Sequence, residues 1–295
     1  MNPSFRAIYI EISNICNLKC SFCPEVKRAD QIMSIEEFAH IIDRVAPYTQ
    51  SVYLHLMGEP LGHPHFDEII AVCAQKKVPV NLTTNGVLLR ANRQDALLNP
   101  VVRQINFSLH SFTDNFGDQD PGPYMKRIVT FAKASRHARP DLYINYRLWD
   151  LDPLQQAENK NTTIRDFLAE EYAFDYTSLK IDVRRKKGYA IGERTYLHFD
   201  SRFHWPDLAA ESYGNRGRCY GLIDHVGVHA NGTVVPCCLD KEAILTLGNL
   251  KNNTLEDILA SPRAKNIREG FEKGELREPL CQRCHFVTRF TRKKP

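Results

Sequence analysis

The chain has 295 residues, 43% of them hydrophobic and 25% charged, with a formal net charge of +4. That length can bury a full core in one large domain or two ordinary ones, and the composition excludes wholesale disorder. No apolar run reaches the ~20 residues needed to span a bilayer, and "MNPSFRAIYIEIS" lacks the layout of a secretory signal, so a soluble cytoplasmic protein is expected.

In chain order, "AIYIEIS" (7–13) reads as a strand, and Ser34 with Glu37 caps a helix beginning at "SIEEFAHIIDRVAPY". "SVYLHLM" is a second strand and "FDEIIAVCAQKK" a second helix, with Cys73 on its apolar stripe. "VPVNLTTNG" (78–86) is a third strand, followed by a short helix at 93–98. "RQINFSLH" (103–110) is a fourth strand and 124–137 its helix; "DLYINYRLW" (141–149) is a fifth, "TIRDFLAEEYA" a helix, and "SLKIDVR" (178–184) a sixth strand. Such alternation indicates a parallel sheet of βα units, too few for an eight-fold barrel. From about 185 the period is lost. "HVGVHANGTVVPCC" (225–238) then reads as a hairpin turning at Asn231-Gly232, with helical patches at 254–260 and 262–270.

The nine cysteines are clustered. Three stand at 16, 20 and 23, and five lie between 219 and 284. In a reducing compartment this favours metal ligation over disulfides. Three thiolates after the first strand are soft ligands suited to zinc or iron–sulfur. A structural zinc normally takes a fourth close ligand, and a three-cysteine [4Fe–4S] cluster leaves one iron open to a small molecule.

"CNLKCSFC" has the Cys-x3-Cys-x2-Cys form and resembles the radical S-adenosylmethionine (SAM) superfamily. "LMGEP" (56–60) is similar to the family's Gly-Gly-Glu-Pro segment, with Met57 in place of the first Gly; "TTNG" (83–86) ends the third strand as in many members. "NFSLHS" (106–111) matches a Ser-x-Asp ribose segment at Ser108 but has His110 in the Asp position. The resemblance implies an α/β fold: a partial (β/α)6 TIM-like barrel with a small C-terminal α+β auxiliary-cluster domain. Cys16, Cys20 and Cys23 would hold a SAM-binding [4Fe–4S] cluster, and Phe22, Gly58, Glu59, Asn85 and Ser108 would contact SAM.

Cys219, Gly232 and Cys237 follow Cys-x12-Gly-x4-Cys, and Cys281-x2-Cys284 closes the series. This resembles the SPASM type of auxiliary domain in its shortened "twitch" form, implying a second [4Fe–4S] cluster on Cys219, Cys237, Cys281 and Cys284. Successive strand residues face opposite ways, so only one of Cys237 and Cys238 can serve; the Gly spacing favours Cys237. A four-cysteine zinc site is the alternative. The expected divisions are 1–184 for the barrel, 185–215 for a connector, and 216–295 for the auxiliary domain. "YLHFDSRFHWPDL" (196–208), with His204 and Trp205, is a candidate substrate-facing stretch.

The resemblance implies reductive SAM cleavage to a 5′-deoxyadenosyl radical, hydrogen abstraction, and a net oxidation with the auxiliary cluster as electron acceptor. The enzyme would be an oxidoreductase acting on a small-molecule or peptide substrate, served by a low-potential donor such as flavodoxin or ferredoxin. "VRRKKGY" (183–189) and the basic tail "RFTRKKP" keep RNA open as a substrate, and no membrane partner is expected. Arg147, Lys180, Asp182 and Arg184 alternate along the late strands, but none is assigned as base. A metal- or redox-sensing binding protein is the non-enzymatic alternative.

Overall fold

A computed structural model of the protein describes residues 5–151, 161–179, 181, 187–202 and 204–290. Among the described residues one ten-stranded sheet organises the fold, in the order β10-β9-β8-β1-β2-β3-β4-β5-β7-β6. Six parallel strands carry the barrel: β1 (Ala7–Ile10), β2 (Val52–Tyr53), β3 (Val80–Thr84), β4 (Val102–Ser108), β5 (Tyr143–Leu151) and β7 (Thr195–Ser201). Helices α1 (Ile35–Val45), α2 (Phe66–Gln75), α3 (Gln94–Leu97), α4 (His110–Phe116), α5 (Gly122–Ala138) and α6 (Thr162–Tyr172) connect them. The fold is a parallel-dominated α/β partial barrel with a smaller C-terminal cysteine-bearing part, as the resemblance implies.

Local chemistry explains the elements. Ser34 Oγ accepts from Glu37 N and the Glu37 carboxylate accepts from Ser34 N, satisfying two free donors at the start of α1. Phe38, Ile41, Ile42 and Val45 then fall at the spacing of one helical face, and all four are buried. Cys73 is fully buried on α2, and burial alone pushes its thiol up to about 12.

Two expectations need correction. The sixth strand is Thr195–Ser201, parallel to β5, with β6 (Gly188–Gly192) antiparallel beyond it. Within 178–184, Ser178 ends a 3-10 turn capped by Asp175, Leu179 and Ile181 are not in a strand, and the remaining residues except Ser178 lie outside those described. The run from 185 hid its strands because β7 mixes core Leu197 and Phe199 with polar His198 and Asp200. Second, α4 begins at His110, where the fourth strand was expected to continue.

The C-terminal part adds to the same sheet. β8 (His225–Val228) pairs parallel with β1, and β9 (Thr233–Val235) and β10 (Gly248–Asn249) follow antiparallel. Gly232, at φ +84°, makes the hairpin turn. Helices α7 (Leu255–Ala260), α8 (Pro262–Glu272) and α9 (Pro279–Gln282) complete it. Among the described residues, no helix is long and apolar enough to cross a membrane.

Candidate active site

Cys16, Cys20 and Cys23 lie on the loop after β1, at the C-terminal edge of the sheet, where open α/β folds place ligands. The loop is held from α4, almost a hundred residues away. Asn115 accepts from Lys19 N at 2.8 Å and donates to Cys20 Sγ at 3.1 Å, while Asp114 accepts from Ser21 N and Ser21 Oγ. Trp205 Nε1 donates to Phe22 O at 3.1 Å, and the Arg202 guanidinium lies 5.6 Å from the Phe22 ring. Sequence reasoning missed Asp114 and Asn115, because nothing in "HSFTDNF" marks it as the floor of a distant loop, whereas Arg202 falls inside the 196–208 stretch read as substrate-facing.

Glu59 is the centre of the next layer. It is 3% exposed and accepts from Thr84 Oγ1 at 2.6 Å, Asn85 N at 2.7 Å and Leu61 N at 3.0 Å. Burial raises its pKa despite these bonds. Asn85 Nδ2 donates to Asn17 Oδ1 at 2.8 Å and approaches Cys16 Sγ at 3.9 Å, so the third strand's end touches the cysteine loop. Gly58 has φ +78°, and a Cβ there would stand 2.2 Å from Ser13 O, so a side chain would collide with the strand-to-loop turn. Ser108 ends β4; beyond it, His110 Nδ1 is engaged by Arg147 O at 3.0 Å, with its ring between Phe22 and Trp149. The imidazole in the Asp position is thus committed to the backbone of β5.

The second cysteine set comes together from three segments. Cys219, Cys237, Cys281 and Cys284 line one cavity with Pro236, Phe271, Leu280 and Asp240; Cys238 is not among its lining residues. Burial pushes the Cys284 thiol up to about 11, and burial followed by the neighbouring thiols raises Cys237 and Cys281 well above the ordinary value. Metal binding to such thiols as thiolates releases protons. In the first set burial pushes Cys16 to about 11, whereas the Cys23 thiol and then Asn115 lower Cys20. No group of three or more His, Cys, Asp or Glu among the described residues is spaced for a single metal ion. A four-iron cluster takes its thiolates at separate irons and does not need them to converge on one point. The soft donor sets, the glycine cradle and the four-cysteine cavity fit two iron–sulfur centres.

A buried network joins the two regions. Glu11, fully buried, accepts from Arg28 at 3.0 Å, and His229 Nδ1 lies 3.5 Å from its carboxylate. Arg28 Nε also donates to Lys241 O, and Lys241 Nζ to Glu25 O at 2.7 Å, tying the segment after Cys23 to the one after Cys238.

The barrel strands turn a second, more polar face to the lumen. On β5, Ile144, Tyr146 and Leu148 are buried in the core, while Tyr143, Asn145, Arg147 and Trp149 alternate on the other face. Tyr9 and Tyr53 stack across strands at 4.7 Å, with His55 edge-on to both and His225 edge-on to Tyr9. Burial pushes His55 down to about 3 and His198 to about 4, with Arg147's charge adding to both, so the imidazoles are neutral at pH 7.

A family model described as the Radical SAM superfamily matches residues 10–148, and one described as an iron-sulfur cluster-binding SPASM domain matches 219–285. A probable GTP 3',8-cyclase of Methanocella arvoryzae is 35% identical over 94% of each chain. The chain belongs to the radical SAM superfamily. Structures similar in fold include BtrN in complex with AdoMet and 2-DOIA, with TM-score 0.63 and 15% identity over 99% of this chain and 98% of that one. Another is Streptococcus suis SuiB bound to precursor peptide SuiA, with TM-score 0.61 and 19% identity over 96% and 71%. This radical SAM enzyme therefore takes a [4Fe–4S] cluster and SAM as cofactors, with further iron–sulfur in its SPASM domain. Enzymatic chemistry replaces the binding-protein alternative. Of the lumen candidates from the late strands, Arg147 faces the lumen; Lys180, Asp182 and Arg184 lie outside the described residues.

Proposed function

We propose that this radical SAM enzyme abstracts hydrogen from a small polar substrate in the barrel lumen and completes a net two-electron oxidation. The observation that carries this reading is the single cavity lined by Cys219, Cys237, Cys281 and Cys284. These four thiolates would hold a twitch-type [4Fe–4S] cluster, and with every ligand supplied by the chain it would serve as an electron acceptor and not as a substrate site. When bound, the two centres and SAM supply a 5′-deoxyadenosyl radical for hydrogen abstraction and an acceptor for the substrate's second electron. The chain's residues supply position: Cys16, Cys20 and Cys23 hold the first cluster, Gly58, Glu59, Asn85 and Ser108 receive SAM, and Phe22 packs beside it. Glu59, ionised, would pair with the SAM ammonium, and its three bonds fix the carboxylate's direction. A low-potential flavodoxin or ferredoxin would donate the initiating electron.

The Methanocella relative supports a second reading, in which the abstraction starts a cyclisation of a nucleoside triphosphate. The likeness to SuiB supports a peptide substrate. The test is anaerobic reconstitution with iron and sulfide counted per chain, then 5′-deoxyadenosine measured after reduction with and without GTP. Eight irons, half of them lost in the Cys16/Cys20/Cys23→Ala variant, and no stimulation by GTP are expected. Four irons, all lost in that variant, would remove the auxiliary acceptor. GTP consumption would replace the oxidation with the cyclisation.

A further inference from the structure

We propose that Arg147 is the centre of an anion receptor in the lumen, binding a carboxylate or phosphate group carried by the small-molecule substrate. The inference rests on the substrate occupying the lumen, as proposed above.

Arg147 stands at the middle of β5 on the lumen face, in register with Ser108 of β4. Its guanidinium lies 4.7 Å from the Trp149 ring, and its one side-chain hydrogen bond among the described residues, to Thr83 Oγ1, is stretched to 3.5 Å. Among the described residues no carboxylate lies within ion-pair distance of it. Asp200, on the neighbouring strand β7, is shared by Lys187 at 2.8 Å and Arg289 at 3.2 Å. Among the described residues Asp200 is thus already held by two other cations, and the imidazoles of His55 and His198 add no negative charge.

A half-buried guanidinium with no carboxylate partner among the described residues gains from an anion that pairs with it. Arginine is permanently protonated, so Arg147 cannot be the base that takes the substrate proton. It offers a planar fork of N–H donors suited to an oxyanion. The stacked phenols of Tyr9 and Tyr53 lie on β1 and β2 of the same barrel. His55 Nδ1 is a buried polar atom without a partner among the described residues. Together these groups make, among the described residues, a donor-rich lining around one guanidinium with no carboxylate partner.

The test is anaerobic calorimetry on the reconstituted holoenzyme at saturating SAM and without SAM, titrating pyrophosphate and citrate at constant ionic strength. One site per chain for either anion is expected, pyrophosphate binding indicating a phosphate-bearing substrate and citrate binding a carboxylate-bearing one. Arg147→Gln should weaken that binding at least about 30-fold, as truncating one partner of a hydrogen-bonded charge pair does. Arg147→Lys keeps the charge without the fork and should bind less tightly than the parent; unchanged affinity in it overturns the proposal even where the Gln variant does not fold. So does the absence of binding to the parent enzyme, or displacement of the anion by SAM, which would give Arg147 to the SAM carboxylate. Reductive SAM cleavage by the same preparation tests the proposed reaction separately. Cleavage without anion binding sinks the receptor alone; anion binding without cleavage sinks the reaction alone.

Discussion

Replacing Gly58 with Ala puts a methyl group where the fold has no room for one. The residue sits at φ +78°, a conformation that costs an ordinary L-residue about 1–2 kcal/mol. The new Cβ would lie 2.2 Å from Ser13 O and 3.0 Å from Ile15 O, both backbone atoms, so relief requires main-chain movement. Such overpacking adds about 1–3 kcal/mol. At roughly 2 °C per kcal/mol for a chain of this length, the melting temperature should fall by about 4–10 °C. Glu59 N donates to Ile15 O, so the shift also reaches Cys16, and iron content should fall with stability. Gly62→Ala is the matched control: its Cβ would meet only the tip of Leu88 at 3.5 Å, and its melting temperature should stay within about 2 °C. Calorimetric melts of both variants decide. Equal losses, or a Gly58→Ala enzyme as stable and iron-replete as the parent, would refute the steric reasoning.

Cys237→Ala should lose the auxiliary iron while Cys238→Ala keeps it, measured as iron per chain; the reverse pattern would move the ligand to Cys238. Asn115→Ala removes the donor to Cys20 Sγ and should make the first cluster's potential more negative, by about 40 mV for each kcal/mol lost, in an EPR-monitored titration. Arg28→Ala leaves the buried Glu11 carboxylate short of a partner and should cost about 3 kcal/mol at neutral pH. For Glu11, burial pushes upward but is outweighed by His229 and Arg28, so its pKa is lowered overall. The pair's contribution is thus present above the ordinary glutamate value and lost as pH falls through the lowered one. Melts of Arg28→Ala and parent should converge toward acid; a constant gap would assign the loss to packing.

Local signals carried most of the barrel. The Ser34–Glu37 cap, the α2 stripe bearing Cys73 and the Asn231-Gly232 turn each depend on neighbours in sequence, and each is found where the pattern placed it. The β7 strand escaped because lumen-facing positions are polar: His198 and Asp200 interrupt the apolar rhythm that identifies a strand buried on both faces. Of the site, cysteine spacing located the loop and Gly-Glu-Pro the turn against it. The supports on α4, the Glu11–Arg28–His229 network and the lumen's charge balance were illegible, because they pair residues about 20 to 220 positions apart with no local motif.

The pairing of β8 with β1 means the cysteine-bearing C-terminal part does not hang from the barrel by a tether. Its hairpin is a continuation of the sheet, joined to β1 by hydrogen-bonded backbone. Removing residues 219–295 would strip β1 of a neighbour and leave a row of open N–H and C=O groups along a buried apolar strand, an invitation to self-association.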